Sequence, residues 1–425
     1  MKTSRKTIFL ILIIFTIVII PISASEGSFS IERKQLEIEQ KIKEAYFNYT
    51  RGSLLEAELI YAEILRDDPD NFRALYSLGI IYQQQGIKDK AIEKFQRCIE
   101  INPDFAPSYN NLGWVYFTLG KYDKAQVLYM MAIKKDPGYL LAYSNLGTIY
   151  MIRNELNMAE NIFRKILEFQ HDNTIALNNL GLTYLRRGEL YPAKEIFETV
   201  LKYDPYSAAA FINLSQVYQN LGLWGKALQS LENAQEFSPR SMAVNFAFGS
   251  LYFDMGNSQK ARGYLKKVLK ANPYHYGATR LLADILIEEK DGSAAEKKLN
   301  ILASIAPNDH WAYTELGKLY LADNSYDKAI EYFKKSLDKK PDQYETWNLL
   351  GVSFEQAGDN EQAYNSYYQS AFLKTDYVPA LLNLSRLLIL SNKNLEANNY
   401  VTQVLSVDPK NSSALKLKKF LKKNI

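Results

Sequence analysis

Apolar residues recur three and four positions apart along most of the chain, which is the spacing of a helix face. From Phe72 to Pro103, Leu75, Leu78, Gly79 and Tyr82 fall on one face of a first helix, and Ala91, Phe95 and Cys98 on one face of a second. Gly86 stands between the two faces and Pro103 follows the second. Glycine accepts the left-handed backbone that stops a helix, and proline cannot continue one. The pattern predicts a helical hairpin.

The hairpin repeats. Prolines at 69, 103, 137, 205, 239, 273, 307, 341 and 409 are spaced by 34 residues or twice that, with His171 and Thr375 in the two skipped places. With Phe72 as slot 1, slot 20 is alanine in every unit, from Ala91 through Ala125 and Ala159 to Ala397, and Ala57 extends the series backwards. Slot 8 is always small: Gly79, Gly113, Gly147, Gly181, Ser215, Gly249, Ala283, Gly317, Gly351 and Ser385. Slot 7 is almost always leucine, slot 11 mostly aromatic and slot 15 mostly Gly or Asn. Small residues at slots 8 and 20 let two helices approach closely, and a large one there would overpack the crossing by typically ~1–3 kcal/mol. A single hairpin cannot bury its apolar face, so each unit must stack on the next.

This pattern resembles the tetratricopeptide repeat, whose consensus runs Trp-x2-Leu-Gly-x2-Tyr, then Ala-x3-Phe, then Pro, over about 34 residues. The unit from 106 to 139 supplies Tyr109, Leu112, Gly113, Tyr116, Ala125, Tyr129 and Pro137. The unit from 344 to 377 supplies Trp347, Leu350, Gly351, Phe354, Ala363 and Tyr367 without the proline. The resemblance covers residues 38–411 as eleven units: 38–71, 72–105, 106–139, 140–173, 174–207, 208–241, 242–275, 276–309, 310–343, 344–377 and 378–411. It departs most in the first, where Glu44 takes the apolar slot 7, and in 276–309, where Lys290 takes the turn position. It implies an all-α fold, a right-handed superhelical α-solenoid with first helices lining a concave surface.

The flanks differ in character. Lys2, Arg5 and Lys6 precede an uncharged run from Thr7 to Ser25 whose core, Ile8 to Ile20, is almost wholly apolar. That core is shorter than the ~20 residues that span a bilayer. Pro21 ends it, and Ser23, Ala24 and Ser25 offer the small residues a signal peptidase accepts. Residues 1–25 therefore read as a secretory signal peptide, and the alternative is an uncleaved inner-membrane anchor formed by residues 7–25. Residues 26–37 form a helical lead-in. Residues 412–425, with Leu415, Leu417, Phe420 and Leu421 among five lysines, read as a basic capping helix.

Composition narrows the function. Fifty-one basic and 47 acidic side chains nearly cancel, so no overall field recruits nucleic acid. There is one cysteine, Cys98, and the three histidines, His171, His275 and His310, sit near unit boundaries. No zinc-protease, nucleophile-elbow or dinucleotide motif occurs. The repeat leaves no stretch for a catalytic domain, and the expectation is a non-enzymatic protein with no cofactor and no metal.

Binding residues follow from the resemblance, which turns slots 2, 5, 6, 9, 12 and 13 toward the groove. Slot 6 reads Asn111, Asn145, Asn179 and Asn213 in four consecutive units, and Asn383 later. Such a ladder of amides can donate to and accept from the backbone of an extended peptide. Trp114, Leu182, Phe117, Met151, Leu185 and Ile152 place large apolar groups on the same face, around units 106–207. The basic clamp that some relatives use for a C-terminal carboxylate is not matched, since slot 9 gives Ile80, Trp114 and Thr148. The reading is an exported scaffold, periplasmic or secreted, that holds a protein or peptide. An envelope assembly factor, or the targeting subunit of an enzyme complex, is the alternative. Oligomeric state stays open.

Overall fold

The computed structural model describes the backbone of residues 26–424 and side chains from residue 32. The segment read as a signal peptide lies outside the described residues. Two compact units divide the chain at Arg187 and Gly188. The first holds α1 (Glu26–Thr50), α2 (Leu54–Asp67), α3 (Phe72–Gln85), α4 (Lys88–Ile101), α5 (Ala106–Thr118), α6 (Tyr122–Lys135), α7 (Leu140–Ile152), α8 (Leu156–Phe169) and α9 (Thr174–Arg187). The second holds α10 (Leu190–Tyr203), α11 (Ala208–Asn220), α12 (Trp224–Phe237), α13 (Met242–Asp254), α14 (Ser258–Ala271), α15 (Tyr276–Glu288), α16 (Gly292–Ile305) and α17 (His310–Ala322). It continues with α18 (Tyr326–Lys339), α19 (Tyr344–Gln356), α20 (Asn360–Leu373), α21 (Val378–Leu390), α22 (Asn394–Val407) and α23 (Ser412–Asn424). Among the described residues there is no strand, and no helix is long and apolar enough to cross a membrane. The lead-in and the first helix of unit 38–71 are one continuous helix, α1.

Within each unit, odd-numbered helices pack on the even-numbered helix that follows and on the one before, which is the stacked hairpin of an α-solenoid. The hairpin turns share one design. Slot 15 adopts positive φ, and the residue after it donates its N–H to the slot-11 carbonyl, as Ile87 does to Tyr82 at 2.8 Å. Lys290 takes the same left-handed conformation at φ 61°, so the unit with the non-consensus residue still turns. Its Cβ carries the steric cost that glycine escapes. At the other end, a slot-4 aromatic of the next unit reaches back to the slot-32 carbonyl, as Tyr109 does to Pro103 at 3.0 Å and Trp347 to Pro341 at 2.8 Å.

The core is set by one crossing. Slot 8 lies against slot 24 of its own hairpin, and a Cβ on Gly147 would sit 2.5 Å from the Phe163 ring. Gly79 meets Phe95, Gly317 meets Phe333 and Gly351 meets Tyr367, each at 2.6 Å by the same construction. Where slot 8 is Ser215, Ala283 or Ser385, slot 24 is Leu231, Leu299 or Val401, all fully buried. In the units from Phe72 onward, an aromatic ring at slot 24 always accompanies glycine at slot 8, because the combined volume must fit one interhelical gap; the divergent first unit has Ala45 and Tyr61 at these slots.

Candidate binding surface

Slots 2, 6, 9 and 13 are spaced four, three and four apart, so they share one stripe on each first helix. On α5, α7 and α9 that stripe carries large apolar side chains that remain open to solvent. Trp114 is 38% exposed, Ile152 46%, Leu141 53% and Ile175 66%. Leu182 and Leu185 on α9 are half-buried beside them. Phe117 is half-buried as well, its ring 5.5 Å from that of Tyr122. Sequence reasoning missed Leu141 and Ile175. Their signal is slot 2, which the helical period puts in line with slot 9.

Met151 requires a correction. It is only 9% exposed, Thr183 donates its hydroxyl to the thioether sulfur at 3.0 Å, and Arg186 donates to its carbonyl at 2.8 Å. The next first helix covers it, so its neighbour Ile152 presents the apolar surface instead.

The asparagines also act differently from a peptide-reading ladder. Asn145 donates an amide N–H to Asn110 Oδ1 at 2.8 Å, and Asn111 donates to the Tyr76 hydroxyl at 3.0 Å. Asn110 donates to Asn111 Oδ1 at 3.3 Å, which links α3, α5 and α7 through their polar side chains. In the second unit Asn383 donates to Asn348 Oδ1 at 3.0 Å. In each case a slot-6 amide reaches slot 5 of the preceding first helix, thirty-five residues back. These amides tie neighbouring hairpins together, which engages a donor that a bound peptide was expected to use. Asn179 and Asn213 occupy the same slot and are half-buried.

Groups with chemical potential are few. Cys98 is fully buried, and burial pushes its thiol up to about 12, far from a reactive thiolate. His275 caps α15, its Nδ1 accepting the Ala278 N–H at 3.1 Å. Among the described residues no group of three or more His, Cys, Asp or Glu is placed to hold a metal ion.

Comparison with known proteins agrees with this architecture. Tetratricopeptide repeat profiles match residues 72–105, 94–127, 140–171, 175–207, 252–319 and 314–374, together more than half of the chain. The chain belongs to the tetratricopeptide repeat family. A solved tetratricopeptide repeat protein from Parabacteroides merdae shares the fold, with a TM-score of 0.52 at 21% identity over 59% of this chain and 98% of that one. Protein O-mannosyl-transferase TMTC2 of Homo sapiens is 30% identical over 97 residues, which are 22% of this chain and 12% of that protein. The peroxisomal targeting signal receptor of Candida albicans is 32% identical over 106 residues, 23% of this chain and 18% of the receptor. The likeness therefore spans less than a fifth of either relative. A tetratricopeptide repeat array is a protein-interaction scaffold, and the first-helix stripe of α5, α7 and α9 is one place where this one exposes apolar surface.

Proposed function

We propose that this tetratricopeptide repeat protein is a non-enzymatic scaffold of the cell envelope that holds a protein or peptide on the first-helix face of α5, α7 and α9. One observation carries the reading: Trp114, Leu141, Ile152 and Ile175 stand exposed on adjacent helices along the same stripe. Clustered exposed apolar side chains mark interaction surfaces, and Trp is enriched among residues that dominate binding energy. Export rests on residues 1–25, with their basic start, apolar core and small residues at the end. The role within the envelope is assembly of a larger structure or targeting of a catalytic partner.

Photo-cross-linking in intact cells from position 114, with position 97 on α4 as control, tests the placement. A partner should attach from 114 and not from 97, and Leu141→Glu with Ile175→Glu should abolish it. Equal capture from both positions would remove the assignment. N-terminal sequencing of the mature protein reads the fate of the leader, and a start near residue 26 is expected.

A further inference from the structure

We propose that the second unit carries a separate anchor site on α11 and α13, which takes one aromatic or large aliphatic side chain of an extended peptide whose residues toward α15 and α17 are basic. This rests on the reading that first-helix faces receive a protein segment, and it adds a second site with its own chemistry.

The anchor is a cavity of about 280 Å³ lined by Ile212, Gln219, Ala243, Phe246, Ser250 and His275, among others. Pockets for drug-sized ligands begin at about 300 Å³, so this one suits a single side chain. It exists because α13 carries small residues at slots 2, 6 and 9, namely Ala243, Ala247 and Ser250, where α5, α7 and α9 carry Trp114, Leu141 and Ile175. Its wall is fixed. The Phe246 ring lies 4.9 Å from the His275 ring and against Gly277, where a Cβ would come within 2.7 Å of it. His275 Nδ1 accepts the Ala278 N–H at 3.1 Å, which leaves the proton on Nε2 as a donor at the rim.

Beyond the cavity the surface turns acidic. Asp254 follows Ser250 by one turn on α13, Asp284 and Glu288 occupy slots 9 and 13 of α15, and Glu315 occupies slot 6 of α17. Two cations stand among these four carboxylates, and both are engaged. Arg280 lies over the Trp311 ring at 4.4 Å and donates to the Tyr276 hydroxyl at 3.1 Å. Lys318 pairs with Glu315 at 2.7 Å. Burial raises the Asp284 carboxyl to about 6, the Arg280 charge opposes this, and Glu315 and Glu288 add to it. Burial also raises Asp254. An incoming ammonium or guanidinium supplies the missing countercharge. Neighbouring first helices lie roughly 10 Å apart and an extended chain advances ~3.3 Å per residue. The basic residues should therefore begin about three to six positions from the anchor.

The probe is an end-blocked, fluorescein-labelled peptide of one Trp, three Gly and three Lys, made in both chain directions and read by anisotropy with the full-length protein. One direction should bind at least tenfold more tightly than versions with Ala for Trp or Glu for Lys. Ala243→Trp fills the cavity from an exposed helix position and should weaken binding at least tenfold. Asp284→Asn with Glu315→Gln should weaken it several-fold and flatten its salt dependence. Trp114→Ala should leave it unchanged. Absence of binding in both directions, or equal binding by the control peptides, overturns the proposal. Binding that ignores Ala243→Trp but disappears with Trp114→Ala overturns it too, while leaving the α5–α9 surface standing.

Discussion

At the scale of single residues, the crossing of slots 8 and 24 controls whether a hairpin closes. Gly147 and Phe163 are both buried, and the missing Cβ is the space the ring occupies. Gly147→Ala should destabilise the protein by ~1–3 kcal/mol through overpacking, despite alanine's better helix propensity. Adding Phe163→Leu should recover part of that loss, because Ala283 already sits with Leu299 in another hairpin. Thermal melts of the two single variants and the double variant test this. Additive losses in the double variant would show that the two slots do not share one volume. The small residue at slot 8 was legible in sequence, since glycine recurring on the apolar face of a helix points to a close approach by another element. Its pairing with slot 24 was not, because a period places residues on faces without saying which side chains fill the same gap.

At the scale of elements, hydrogen bonds between consecutive helices decide which polar groups remain for a partner. The groove face of α5, α7 and α9 could be read from slot numbers, yet depth along that face could not. Met151 and Ile152 are neighbours in sequence, and the cover that α9 supplies, with Thr183 and Arg186 in contact, separates a buried residue from an exposed one. Likewise the period that grouped the asparagines says nothing about an acceptor on the preceding helix. A stronger inter-helix tie joins α8 and α9. Glu160 accepts from Arg164 Nε at 2.8 Å, from the Tyr184 hydroxyl at 2.8 Å, and from Arg187. Burial alone would raise its pKa, but these donors outweigh burial and hold it down to about 2. The unfolded chain's glutamate titrates near ~4.3. The folded group is depressed, so its contribution is fully present above that pH and is lost as pH falls through about 2. Glu160→Gln should therefore lower stability by roughly 2–3 kcal/mol at pH 7. The gap to the parent should shrink steadily below pH ~4.3. A melting-point difference that stays constant between neutral and strongly acidic buffer would show that the carboxylate's charge is not what holds α8 to α9.

At the scale of the whole molecule, a stack of like hairpins must stop without leaving an adhesive face. On α23, lysines take several positions that carry apolar or small side chains in other units. On α23, slots 3 and 10 are Ala414 and Leu421, both fully buried in the cluster formed with α21 and α22. Slots 4, 8 and 11 would face a second helix of the same hairpin, and there Leu415 is accompanied by Lys419 and Lys422. Lys418, at the usual leucine slot 7, extends to Asn398 and Thr402 on α22, with both contacts at 2.8 Å. In the first unit, α1 exposes Gln40 and Glu44 at slots 3 and 7, where α3 buries Ala74 and Leu78. Lys419→Ala with Lys422→Tyr restores the residue types that other units use to receive a second helix, next to an already exposed Leu415. The new apolar face has no partner among the described residues, so it should meet the same face on another copy. Gln40 and Glu44 offer no complementary apolar face on α1, so association should close as a two-fold pair. Sedimentation velocity across a concentration series should show the double variant reaching twice the parent's mass and stopping there. Unchanged mass would mean the lysines are not what keeps this face apart, and open-ended growth would mean the polar residues of α1 do not prevent head-to-tail contact.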